Sequence, residues 1–317
     1  MVCAERLTMK NAPAIVPLIL IIISGSLSAQ VDLKFKFSDG EKQALEYRST
    51  AHQILTLAGM DIETKSYTSM GIDLQYGMRD KKGRQQVTQQ ASSLFTDLSL
   101  PGGIQVTFDS ANPQLTHDIP QIQALMELWD ARSRSEFVFM LDADNKAIEV
   151  TGSEALSSKL SPMAADIIRA DIEPTRMLEN FNRKHAILPD TSVKTGDLWT
   201  RKQVMALGSG QYLSIDVQYE YRFDTVRDGI TLKNIGMSEL SVDFIHDAPP
   251  SEPLRIVGSA LEVEPLGGTI LFDANRGVLV ESSSKMRITG ALSLTANGQP
   301  LSGKLDLTME SQVLPRK

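Results

Sequence analysis

The chain has 317 residues, a net charge of −7 and one cysteine, with 22% of its side chains charged and 6% aromatic. That length allows one large domain or two smaller ones, and a mild acidity without any basic run excludes nucleic acid as a natural partner. Cys3 is the lone thiol and falls in the leader, so the rest of the chain can form no disulfide, thiolate metal site or cysteine nucleophile.

Residues 1–29 read as a signal peptide: Lys10 precedes the apolar run 14–23, and Ser24, Gly25, Ser26, Ser28 and Ala29 follow as a cleavage region. The run is about ten residues where a spanning helix needs ~20, so no stable membrane span is expected after cleavage. Cleavage after Ala29 leaves a product free in the periplasm or outside the cell. Met9 is an alternative start.

Alternation of Leu33, Phe35 and Phe37 with lysines predicts a short strand before a turn at Asp39-Gly40. Long strands follow at 45–57 and 62–78 about Ala58-Gly59. In the second, Ile62, Met70, Ile72, Leu74, Tyr76 and Met78 share a parity against Glu63, Lys65, Asp73 and Gln75, the mark of an antiparallel sheet with one wet face. A weaker strand at 86–100 and one at 104–108 flank Pro101-Gly102-Gly103. Asp118 with Gln121 reads as the capping box of a short helix carrying Ile122, Leu125, Met126 and Trp129. A hairpin at 137–150 turns about 142–146. The helical region begins at Ser153, restarts at Ser161-Pro162 and breaks at Glu173-Pro174.

The stretch 211–223 alternates almost without error, and its partner 230–244 switches parity near Asn234 and near Glu239, which predicts bulges. Pro249, Pro250 and Pro253 mark the clearest internal break. Residues 278–313 form a long hairpin about Asn297-Gly298, whose type I′ turn sets Leu294 opposite Leu301, Ile288 opposite Leu307, Met286 opposite Met309, and Lys285 opposite Glu310.

The predicted fold is mainly β within the α+β class: a long curled antiparallel sheet or barrel with a few short helices packed against it, over a single domain 30–317. An echo between the turns at 141–146 and 272–277, and between Gly40-Glu41 and Gly196-Asp197, suggests two half-repeats, 30–152 and 188–317, joined by a helical segment 153–187. Convergent turn chemistry explains the echo as well.

Several segments together resemble a family of secreted bacterial proteins catalogued as a domain of unknown function and frequent in planctomycetes. They are 33–37 with Gly40-Glu41, the hairpin 141–152, Leu188-Pro189-Asp190 with Gly196-Asp197 and Trp199, and 267–273 with Gly277. The resemblance implies export and a β-rich fold and carries no catalytic residue. Turn and strand chemistry alone accounts for Gly196, Asp197 and Trp199.

No sequence element points to catalysis. Gly298 to Lys304 has the spacing of a phosphate loop, but Leu305 stands where Ser or Thr is needed and no helix follows. Ser282 and Lys285 have the spacing of a penicillin-binding nucleophile but lie on a strand. His52, His117, His185 and His246 are scattered, and Asp142 with Asp144 lacks the Gly and Glu of a calcium loop. No metal and no cofactor is implied.

The function that fits is an exported, non-catalytic envelope protein binding an apolar ligand or a protein tail in the sheet's concavity, with lipid or lipoprotein as the partner class. The curled sheet with helices is similar to outer-membrane lipoprotein carriers at the level of fold alone. The alternatives are a hydrolase whose site is assembled from distant residues, and a structural or adhesive envelope protein. Thr64, Ser66, Thr68, Ser282, Ser284 and Gly290 leave room among larger neighbours, and the wall of the concavity is predicted to be Met70, Ile72, Leu74, Met286, Ile288, Leu292, Leu305 and Leu307. Oligomeric state is not encoded in any of these patterns.

Overall fold

A computed structural model describes residues 30–208, 211–246, 254–296 and 298–316, with the side chains at 206–208, 211, 246 and 254 left out. The predicted signal segment, the Pro249 to Pro253 break, Asn297 and the His246 side chain therefore lie outside the described residues. The strands are β1 (Lys42–Leu57), β2 (Met60–Tyr76), β3 (Gln85–Leu100), β4 (Ile104–Asp109), β5 (Glu136–Leu141), β6 (Ala147–Thr151), β7 (Leu198–Gly208), β8 (Gln211–Arg227), β9 (Ile230–His246), β10 (Leu254–Asp273), β11 (Val278–Ala296) and β12 (Gln299–Pro315). Between them lie four helices, α1 (Pro120–Ser133), α2 (Ser153–Ser157), α3 (Pro162–Ile168) and α4 (Pro174–His185).

All twelve strands belong to one antiparallel sheet in the order β6-β5-β3-β2-β1-β12-β11-β10-β9-β8-β7, with β4 beside β3. Local chemistry sets the connections. Ala58 (φ 50°) and Gly59 (φ 82°) make the two left-handed positions that join β1 to β2. The β11–β12 register places Leu294 against Leu301, Ile288 against Leu307, Met286 against Met309, and Lys285 against Glu310, as the alternation requires. The two parity slips of β9 coincide with register shifts against β8: at one the extra residue is Leu240 of β9, but at the other, beside Asn234 and Ile235, it is Arg222 of β8.

The sheet curls until its edges nearly meet. From β6 to β8 is nine strand steps, about 43 Å if flat. Yet α4, whose residues 176 and 182 are only ~9 Å apart along its axis, touches both. The Asn182 side chain accepts from Ala147 N (2.7 Å) and donates to Ala147 O (3.0 Å) on β6, while the Arg176 guanidinium lies 4.5 Å from the ring centre of Tyr212 on β8. On the β7 side, Trp199 Nε1 donates to Ile187 O, and Arg201 donates to Ala186 O and Leu188 O. The barrel alternative is thereby corrected: β6 and β7 do not pair, because α4 and the turn after it occupy the gap and satisfy backbone groups there.

Directly opposed residues on antiparallel neighbours point the same way, so one inner face runs through Ile288, Leu307, Gln53 and Thr64 across β11, β12, β1 and β2. The larger core lies on this face, from Leu213, Ile215 and Val217 on β8 to Leu305 and Leu307 on β12. Charged pairs such as Arg287 with Asp306 (2.7 Å) and Lys285 with Glu310 (3.8 Å) lie outside. Helix α1 packs inside β3 and β4 through Ile122 and Met126.

Two further expectations are corrected. Residues 33–37 form no strand: only Val31 bridges, to Val193. The alternation is real because Leu33 and Phe37 are buried, but it arises where an extended segment closes one end of the curl, with Phe35 against Phe272 and Phe37 stacked on Tyr76. Asp118 does not cap α1. The cap position is Ile119, without a side-chain bond, and the turn is held one step earlier by Gln123 Oε1 accepting from His117 N. Ser161 does cap α3, and Glu173 caps α4 before Pro174, so that break is also a start.

The two Gly-acid pairs make matching bonds. Gly40 N donates to Tyr76 O and Tyr76 N to Glu41 O; Gly196 N donates to Tyr221 O and Tyr221 N to Asp197 O. Asp142 and Asp273 each accept from backbone two residues on, at the β5–β6 and β10–β11 turns.

Candidate functional site

The predicted wall residues lie on the inner face of the sheet, whereas the two grooves of the described surface, about 450 Å³ each, lie on its outer face. Met286, Ile288, Leu292, Leu305 and Leu307 come together in the larger core, four of them buried and Met286 partly so. Met70, Ile72 and Leu74 lie on the same face two strands away, with Ile72 buried and the other two half-buried; Leu74 packs toward Phe37 and Tyr76. Between the groups runs the inner face of β1: Tyr47 opposite Met70, then Ala51 opposite Met309 and Leu55 opposite Leu305. Along this strip the inward residues Tyr47, Ala51, Leu55, Thr64, Ser66 and Thr68 are only partly buried. Gly290 gives no such room. A side chain there would run into the Ala260 carbonyl of β10, so backbone already fills the space.

One charged group that no sequence pattern marked reaches this strip. Lys184 of α4 stretches from the edge gap to the facing wall, its ammonium 5.7 Å from the ring centre of Tyr47. Its side chain is accessible, yet desolvation, and then the charge of Arg132, pull its pKa down. Arg132 of α1 is likewise exposed and likewise lowered by desolvation, against Asp171, whose own pKa burial raises. Burial also raises the Tyr47 phenol. His185 is not part of a reactive set: its ring packs against Phe35, Phe37 and Phe181, its Nδ1 bonds Phe181 O at 2.8 Å, and desolvation lowers its pKa to about 4. His52 pairs with Glu63 on the outer face (2.7 Å), and His117 Nδ1 accepts from Ile119 N. Among the described residues no group of three His, Cys, Asp or Glu could hold a metal, and no helix is long and apolar enough to cross a membrane.

Glu239 is an orphan on the inner face. It lies opposite Val217 beside the Leu240 bulge, is 4% exposed, and its Oε2 has no partner. Desolvation raises its pKa. A carboxyl raised in the folded state contributes fully below its unfolded pKa, and that contribution is lost as pH rises through the folded one. Glu239→Met is therefore expected to be about 1–3 kcal/mol more stable than wild type at neutral pH, with the gap closing at acid pH, as read from denaturation midpoints at both.

No protein-family model matches the chain, and no curated protein does; the resemblance drawn from short turn segments has no counterpart there. Among solved structures, lipovitellin, described for its lipid-protein interactions, aligns at 10% identity and TM-score 0.40 over 89% of this chain but 26% of its own, so the chain spans about a quarter of that protein. A DUF1329 family protein from Desulfovibrio piger aligns at 10% identity and TM-score 0.14, over 83% of each chain. A domain from Vibrio parahaemolyticus described as an outer membrane lipoprotein-sorting protein aligns at 10% identity and TM-score 0.13, over 83% of each. At such scores these are likenesses of strand arrangement and carry no functional argument.

Proposed function

We propose that the protein is an exported, non-catalytic envelope protein that holds an apolar ligand in its lumen. One observation carries the reading. The inward residues of β1 and β2 around Tyr47, Ala51, Leu55 and Met70 are enclosed by the curl yet only partly buried, whereas a packed interior leaves few gaps larger than a water molecule. Apolar wall, small residues and a few polar groups are what a site for an acyl chain or an apolar tail requires. Methionines at 70, 286 and 309 add adaptable surface. Of the predicted wall, Met70, Leu74 and Met286 are taken to face the ligand together with Tyr47 and Leu55, while Ile72, Ile288, Leu292, Leu305 and Leu307 pack behind them. Reading residues 1–29 as a signal peptide supports a location in the periplasm or outside the cell.

Native mass spectrometry of the mature chain mixed with extracted envelope lipids tests this. Discrete lipid adducts are expected, and they are lost when Leu55 and Met70 are both replaced by Gln. A bare protein mass at every lipid ratio overturns the reading.

A further inference from the structure

On β8 the odd-numbered residues from Leu213 to Tyr221 point into the core, and strict alternation would turn Phe223 inward as well. The extra residue Arg222 reverses that. It sets Phe223 opposite Asn234, the neighbour of the inward Ile235, so the aromatic ring stands on the outer face and is 53% exposed. Bulges re-aim side chains in this way beside binding sites. Arg222 itself folds across Gly236, whose missing side chain makes room for the guanidinium, and donates to Glu220.

The consequence is a groove. In register across four strands, Phe223 of β8, Asn234 of β9, Leu271 of β10 and Glu281 of β11 form one outward row, and Thr269 with Ser283 belongs to the next. With Thr225, Val226 and Arg227 they line a space of about 450 Å³, the size of a small-molecule site. One side is apolar: Phe223 and Val226 stand open, while Leu271 is buried between them and β11. The charges are balanced, because Arg227 Nη1 at the end of β8 reaches over β9 and β10 and donates to Glu281 Oε2 at 2.5 Å. Asn234 Oδ1 is buried and accepts no hydrogen bond. A desolvated carbonyl oxygen without a donor is costly, so it is a place for a donor from outside the chain.

An anion would meet Glu281 here, a cation would meet Arg227, and a wholly apolar molecule would leave Asn234 unsatisfied. A sugar ring meets all three conditions. It is neutral, it offers a C–H face to Phe223, and each hydroxyl on its rim can donate to Asn234 or Glu281 and accept from Arg227, Thr225 or Ser283. We propose that the outer groove between β8 and β11 is a binding site for a neutral saccharide, separate from the inner face and independent of the apolar-ligand reading.

Saturation-transfer NMR on the mature chain tests this, with maltose, cellobiose and N,N′-diacetylchitobiose as probes at about 10 mM. At least one is expected to receive saturation, strongest at the C–H protons of one ring face. Phe223→Ala and Asn234→Leu should each weaken its binding about tenfold or more. Asn234→Leu removes an unpartnered polar group, so its unfolding midpoint should hold or rise, which separates lost binding from lost folding. No transfer to any of the three probes overturns the inference. Binding that both variants retain puts the sugar elsewhere and overturns it as well. Loss of the sugar signal on adding oleate assigns the sugar to the inner-face site and overturns it too, leaving the apolar-ligand reading standing.

Discussion

Ile288→Ala lowers the stability of the folded chain by about 2–5 kcal/mol, seen as a lower denaturation midpoint at unchanged slope. Ile288 is wholly buried, opposite Leu307 on β12 and Val263 on β10. Its loss removes transfer energy and leaves a hole that two hydrogen-bonded neighbours cannot close. Leu307→Ala should cost a similar amount, and because the two side chains touch, the double variant should cost less than the sum. Glutamine at either position is worse, since it buries an amide with no partner. A loss below about 1 kcal/mol for both would show that this part of the inner face opens to the lumen instead of packing.

Gly290→Ala is expected to cost more than about 2 kcal/mol, well beyond the ~1 kcal/mol that a left-handed backbone alone imposes on alanine. At φ 152°, its missing side chain is what lets β10 approach, and the obstructing atoms are the Ala260 carbonyl and Leu261 Cα, backbone that cannot rotate away. Gly267→Ala is the control. Its φ of 89° is unfavourable too, but nothing lies within 4 Å of where the new methyl would point. Equal costs for the two, measured by thermal unfolding, would refute the close-approach argument.

Most of the sheet was legible because a strand's period of two and the chemistry of its turns are local. Ala58-Gly59, the 211–223 alternation and the 278–313 register needed nothing beyond neighbours in sequence, and even the Leu240 bulge of β9 left a trace as a parity slip. The helices between 153 and 185 were marked by Ser161-Pro162 and Glu173-Pro174. What was not legible depends on the curl. Residues 33–37 alternate as a strand does, but their burial comes from crossing an end of the sheet. The candidate wall was visible as apolar parity. Lys184 was not, since a lysine in the last turn of a helix is ordinarily a solvated group that suits the helix dipole. Only the gap between β6 and β7, and the helix placed in it, turns that side chain toward Tyr47.

The pairing of β1 with β12 has a kinetic consequence. It joins Leu45 to Pro315 and Leu57 to Gly303, strands from opposite ends of the chain, and it is the seam through which β1–β6 and β7–β11 become one sheet. Contacts of such long sequence separation form late, because loop-closure entropy is lost before they can repay it. During synthesis β1 has β2 on one side and nothing on the other until the final strand has left the ribosome. The sheet can therefore be completed only once β12 has emerged, and until then the free edge of β1 stays open to whatever else could pair with it.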